Sequence, residues 1–174
     1  MICIPYNGKS PQVADSALVA DTAYLIGDVV IGEDCTIWPG VVIRSDTTPI
    51  RIGNNVHIED NSVLHTSAHI EDNVMIGHNC TVEGFVGHDT LIGNTASLMP
   101  LSRIGAHSAL AAGSVILDGA EILDHCFALG IPAKVHSKIE LENPDHLMRT
   151  AGPYIEGMQQ LLRAYREQGI WSRA

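Results

Sequence analysis

From residue 31 onward an aliphatic residue returns every six positions, through the units IGEDCT, IWPGVV, IRSDTT, IGNNVH, IEDNSV, LHTSAH, IEDNVM and IGHNCT. Six is neither the 3.6 of an α-helix nor the 2 of an alternating strand, so the pattern marks an internal repeat. Later units keep it with small slips: VGHDTL, IGNTAS, IGAHSA, LAAGSV, ILDGAE and ILDHCF. The fourth residue of a unit is nearly always one that tolerates a left-handed or turn conformation: Asp34, Gly40, Asp46, Asn55, Asn61, Asn73, Asn79, Gly113 and Gly119. Each hexapeptide therefore turns a corner after a short strand. Three of them close a triangular coil with the aliphatic residues inside, and successive coils stack about 4.8 Å apart by backbone hydrogen bonds. Cys35, Cys80 and Cys126 hold the fifth position, where a small residue packs inside the corner, and no C-x-x-C is present to suggest thiolate zinc or redox chemistry.

This organisation resembles the left-handed parallel β-helix of the hexapeptide-repeat proteins, and the handedness is implied by that resemblance. The repeat reads clearly over 31–135, giving an all-β domain at 1–135. After ALGIPAKV the period changes. NPDHLMRTAGPYIEGMQQLLRAYREQ then reads as helix within a C-terminal segment, 136–174. Pro144 after Asn143 fits a helix start, and Gly152 with Pro153 breaks the segment in two. Leu147, Met148, Tyr154, Met158, Leu161, Leu162 and Tyr165 form an apolar stripe that is expected to pack along the β-helix.

A chain of 174 residues, 45% of them hydrophobic, suits one core. No apolar run approaches the roughly 18 residues that span a bilayer, and MICIPYNGKS lacks the features of a signal peptide, so a cytoplasmic protein is expected. A formal charge of −10, with ten scattered Lys and Arg, argues against nucleic acid and membrane surfaces as partners.

Against this frame several polar residues fall into outward columns. His65 and Glu83 are one coil apart on one face, with Arg44 a coil earlier; Asp60 and His78 are one coil apart on the preceding face. The segments IRSD, NNVHIEDNSVLH, IGHNCTVEGFVG and ALGIPAK resemble those of the γ-class carbonic anhydrases. That resemblance implies a homotrimer with a metal at each subunit interface, held by two histidines of one subunit and one from its neighbour. His65 matches the first ligand and His78 the one supplied across the interface, while Arg44 and Asp46 match a pair near the site. At the remaining histidine this chain has Glu83. The family's Ile-Gln-Asp is here Ile58, Glu59, Asp60; the segment between His65 and His78 is short; and Cys126, Phe127 and Ala128 stand where a tyrosine is usual.

Two histidines and a glutamate suit catalytic zinc and also iron(II). The implied activity is reversible hydration of carbon dioxide to bicarbonate by metal-activated water, with Asp60 or Glu59 orienting that water or accepting its proton. Glu83 either joins the metal or pairs with Arg44. His88 is a conceivable substitute ligand, and His57, His69, His107, His125, His136 and His146 read as surface or corner residues. Two other readings stay open: a non-catalytic β-helix scaffold, and a coenzyme A-dependent acyltransferase, which the absence of a long insertion and the scarcity of basic residues disfavour.

Overall fold

A computed structural model describes residues 1–140 together with 157, 159–161, 163–165 and 167–169. The chain winds as a parallel β-solenoid with three faces. The first face is an eight-stranded sheet, seven strands parallel and the last antiparallel: Leu18–Val19, Thr36–Ile37, His57–Ile58, Met75–Ile76, Leu91–Ile92, Ala109–Leu110, Cys126–Gly130 and the returning strand Ala133–Lys138. The second and third faces share one continuous sheet, because Tyr24–Ile31 and Val42–Ile52 run straight through the corner between them.

The period of six explains the core. Ile37, Ile43, Ile58, Leu64, Ile70, Ile76, Val82, Ile92, Leu98, Ile104, Leu110 and Ile116 all point into one buried cluster. Each contributes on the order of 1.5–3 kcal/mol by leaving water. Cys35, Cys80 and Cys126 are buried among them, and burial pushes the thiols of Cys35 and Cys80 up to about 12 and about 11.

The corners turn through left-handed residues, including Asp34, Gly40, Asn55, Asn61, Asn73, Asn79, Gly113 and Gly119. Thr66, Thr95, Leu101, His107 and His125 also adopt positive φ, although their side chains give no such signal in the sequence. Asp46 departs from expectation: it lies in extended backbone within Val42–Ile52, since the extra residues Thr47–Pro49 carry the chain past that corner without a left-handed turn. Asn side chains stack from coil to coil, as where Asn55 Nδ2 donates to Asn73 Oδ1 at 3.0 Å.

The solenoid also begins earlier than residue 31. Gln12–Val13 pairs with Val30–Ile31, and Val13, Val19, Leu25 and Ile31 keep the period of six through an Ala-rich stretch whose small residues hide it. Gly27 is required there. At φ +80° its missing Cβ would sit 2.1 Å from the Ser45 carbonyl oxygen.

In the C-terminal segment the described residues from 157 to 167 are helical. Gln159 donates to the Asp34 carbonyl at 3.0 Å and to Asn55 Oδ1 at 2.9 Å, and Tyr165 packs on Leu18 and Trp38. This covers the outside of the first face in its early coils. His57 is therefore fully buried, not a surface residue, with Trp38 edge-on at 5.9 Å and Nδ1 bonded to Thr36 Oγ1. Leu161, expected in the apolar stripe, is exposed. Pro144, Leu147, Met148, Gly152, Tyr154, Met158 and Leu162 lie outside the described residues, as does His146.

Candidate metal centre

Where the second face ends, Arg44 pairs in register with His65, and Glu83 follows one coil later. His65 Nδ1 lies 2.9 Å from Glu83 Oε1 and its Nε2 lies 2.9 Å from Asp46 Oδ1. Arg44 is bound to Asp46 Oδ2 at 3.1 Å. Arg44 thus takes Asp46 as its partner, and Glu83 faces His65. Asp46 ionises below its usual range, first because of its hydrogen bond with His65 and also through the nearby charges of His65 and Arg44.

Sequence reasoning missed two residues here. Thr66 Oγ1 lies 2.9 Å from His65 Nδ1 and 3.4 Å from Glu83 Oε1, and Ser67 Oγ donates to the Glu83 carbonyl. Thr66 is β-branched yet has φ +52°. It stands one place before the fourth position of LHTSAH, where other corners have Asn or Gly, so the repeat gave it no signal.

His78 is placed at the corner that precedes the second face. Its Nε2 is 3.1 Å from Glu59 Oε2 and its Nδ1 3.1 Å from Asp60 Oδ2. Glu59 is 2% exposed, against 35% for the Asp60 side chain. Glu59 Oε1 also lies 3.7 Å from His57 Nε2. The two columns occupy opposite ends of the second face, with Asp60 and His78 each five residues before His65 and Glu83, more than ~10 Å along the chain path. Donors to one tetrahedral zinc lie only ~3.3 Å from each other. One chain accordingly brings His65 and Glu83 together and leaves His78 apart. His88 is at a third corner, bonded to Asp89 at 2.8 Å, and is not part of this group.

The donor chemistry nonetheless fits a metal. The 2.9 Å between His65 Nδ1 and Glu83 Oε1 needs to open by only a few tenths of an ångström to admit zinc, and Asp46 already occupies the other ring nitrogen, as carboxylates commonly do behind a ligating histidine.

The fold and site define a hexapeptide-repeat protein. Residues 10–45 and 49–84 match the family described as bacterial transferase hexapeptide (six repeats). A carbonic anhydrase of Geobacillus kaustophilus is 40% identical over 87% of this chain and 86% of its own length. Gamma carbonic anhydrase 2, mitochondrial, of Arabidopsis thaliana is 33% identical over 84% of this chain and 57% of its own. Among solved structures, a hexapeptide transferase family protein from Anaplasma phagocytophilum superposes with TM-score 0.86 at 32% identity, covering 94% of this chain and 98% of that one. The chain belongs to the γ-carbonic anhydrase-like proteins of the hexapeptide-repeat superfamily.

Proposed function

We propose that this protein is a homotrimeric metalloprotein that hydrates carbon dioxide reversibly, with His65 and Glu83 of one subunit and His78 of the next holding zinc or iron(II). The observation that carries this reading is the Asp46–His65–Glu83 alignment. One imidazole nitrogen is oriented by a carboxylate, and the other faces a second donor from the following coil. The distance between the two columns requires a neighbouring chain. The second face suits such a neighbour, since Tyr24, Val63, Leu117 and, at its trailing corner, Leu101 expose apolar side chains there.

Bound zinc would bring the pKa of water toward neutrality and so supply hydroxide for attack on carbon dioxide. The chain's own residues do the rest. Arg44 fixes Asp46, and Asp46 accepts from one His65 nitrogen so that the other keeps its lone pair. Thr66 donates to Glu83 and limits its rotation. At His78 a carboxylate faces each ring nitrogen: buried Glu59, at Nε2, orients the ring from behind, while the more exposed Asp60, at Nδ1, would yield that nitrogen to the metal and pass the proton released by water to solvent.

The test is metal analysis of protein purified without chelator, joined to a carbon dioxide hydration assay and a binding titration with acetyl coenzyme A. Stoichiometric metal with hydration activity supports the proposal. Tight coenzyme binding without metal would establish the acyltransferase reading, and neither would leave a scaffold.

A further inference from the structure

The triangular coil has a third corner, joining the third face to the first and lying opposite the second face that carries His65 and Glu83. Its left-handed residues form their own column: Asp34, Asn55, Asn73, Asp89, His107 and His125. Coil-to-coil bonds fix the register, with His107 N donating to the His88 carbonyl at 2.9 Å and His125 N to the Ala106 carbonyl at 2.9 Å. Where earlier coils use Asn, the later ones present imidazoles. The His88 and His107 rings meet edge-on at 4.7 Å, and His107 stacks on His125 at 5.0 Å.

Between the first two rings lies one carboxylate. Asp89 Oδ2 is 2.8 Å from His88 Nδ1 and 3.7 Å from His107 Nδ1. One donor atom from each of His88, Asp89 and His107 falls within 4.8 Å of the other two. The side chains are 47%, 35% and 28% exposed, so an ion can enter without opening the fold. Glu71 braces the corner by accepting from the His88 backbone N–H at 2.9 Å.

We propose that this corner is a second metal site, in which His88, Asp89 and His107 bind a divalent transition ion of the zinc, nickel or copper class. Two imidazoles and a carboxylate form a three-donor set with open positions, and the softness of imidazole selects such ions over magnesium or calcium. The backbone is what makes the set compact. Because each coil advances by one strand spacing, residues at the same corner stand about 4.8 Å apart before any side chain moves. Small χ rotations then bring the donors to the ~3.3 Å separation that a tetrahedral ion needs. Within one chain this corner gathers three donors, which the His65 column does not do without a neighbour. The site is independent of the proposed interface centre and exists in a single subunit.

The test is equilibrium dialysis against micromolar zinc(II) with metal analysis of the intact protein and of His107→Asn. Asn occupies the equivalent left-handed position at Asn55 and Asn73, so this substitution keeps the corner and removes only the imidazole. The variant is expected to hold one zinc fewer per chain, whether or not the interface centre is loaded. His88→Gln should weaken the same equivalent by about tenfold or more. Histidine-ring NMR of the wild type should show the His88 and His107 signals moving together as zinc is added. Equal zinc content in wild type and both folded variants, or ring signals that do not respond, would overturn the proposal.

Discussion

His65 and Glu83, eighteen residues apart in the chain, face each other with Nδ1 and Oε1 2.9 Å apart because the solenoid advances one coil in that interval. If the pair shares a metal, the carboxylate lowers the net charge of the centre by one unit relative to an imidazole, and water bound there ionises less readily. Hydration activity should therefore be weak at neutral pH and rise at alkaline pH. Glu83→His should raise neutral-pH activity by about tenfold, and Glu83→Ala should lose zinc; a stopped-flow pH profile and metal analysis of the three proteins check this. Full zinc in the Ala variant would reduce Glu83 to a structural partner of His65.

Sedimentation should report three chains, with Val63 at the centre of the contact. Val63→Lys places a charge on the apolar second face, and it should give monomers that also lose the interface metal, since His78 then has no neighbour to serve. A monomeric variant with undiminished zinc at that centre would separate assembly from metal binding.

The thiols give a prediction that needs no metal. Cys35 and Cys80 are buried with raised pKa values, while Cys3 is exposed. Native protein should take up a single alkylating label, on Cys3, whereas denatured protein takes four, as mass spectrometry will show. Because the folded-state values are raised, the stabilisation from these thiols is complete below pH 9.0 and is lost as pH climbs toward about 11 and about 12. Denaturant midpoints should fall over that range, and less so in Cys80→Ser.

Gly27→Ala should destabilise by at least about 2 kcal/mol, since it forces an L side chain into positive φ and against the Ser45 carbonyl. Tyr165→Ala should cost about 1–2 kcal/mol by uncovering Trp38 and Leu18. Urea denaturation measures both.

The repeat made the core legible because a single physical rule, one aliphatic per inward position, recurs from Ile31 with two breaks, the extra residues Thr47–Pro49 and the short step from Val82 to Val86. It failed over Val13–Val30, where the inward residues keep the rule but Ala17, Ala20 and Ala23 blur the contrast around them. The His65–Glu83 and Asp60–His78 columns could be read by counting eighteen, since outward residues obey the same translation. Counting eighteen also links His107 to His125, yet His88 stands one residue further off, and that slip hid the corner cluster. Burial of His57 and Glu59 was not readable at all. His57 lies under Trp38, on which Tyr165 packs from more than a hundred residues away, and Glu59 lies between His57 and His78; no local pattern encodes these contacts.

The strand Ala133–Lys138 runs antiparallel along Cys126–Gly130, the last parallel strand of the first face. Without it, that edge would present the same unpaired amides and carbonyls that every earlier coil offers to the next, and any coil of a second molecule could continue the stack. Reversing the chain there presents a mismatched ladder to an incoming parallel strand. On this face the molecule is in that sense a fibril of one chain stopped by its own final hairpin, and cutting the hairpin away would open this edge beside the strand ends Val115–Ile116 and Glu121–Ile122, completing a template for end-to-end polymerisation.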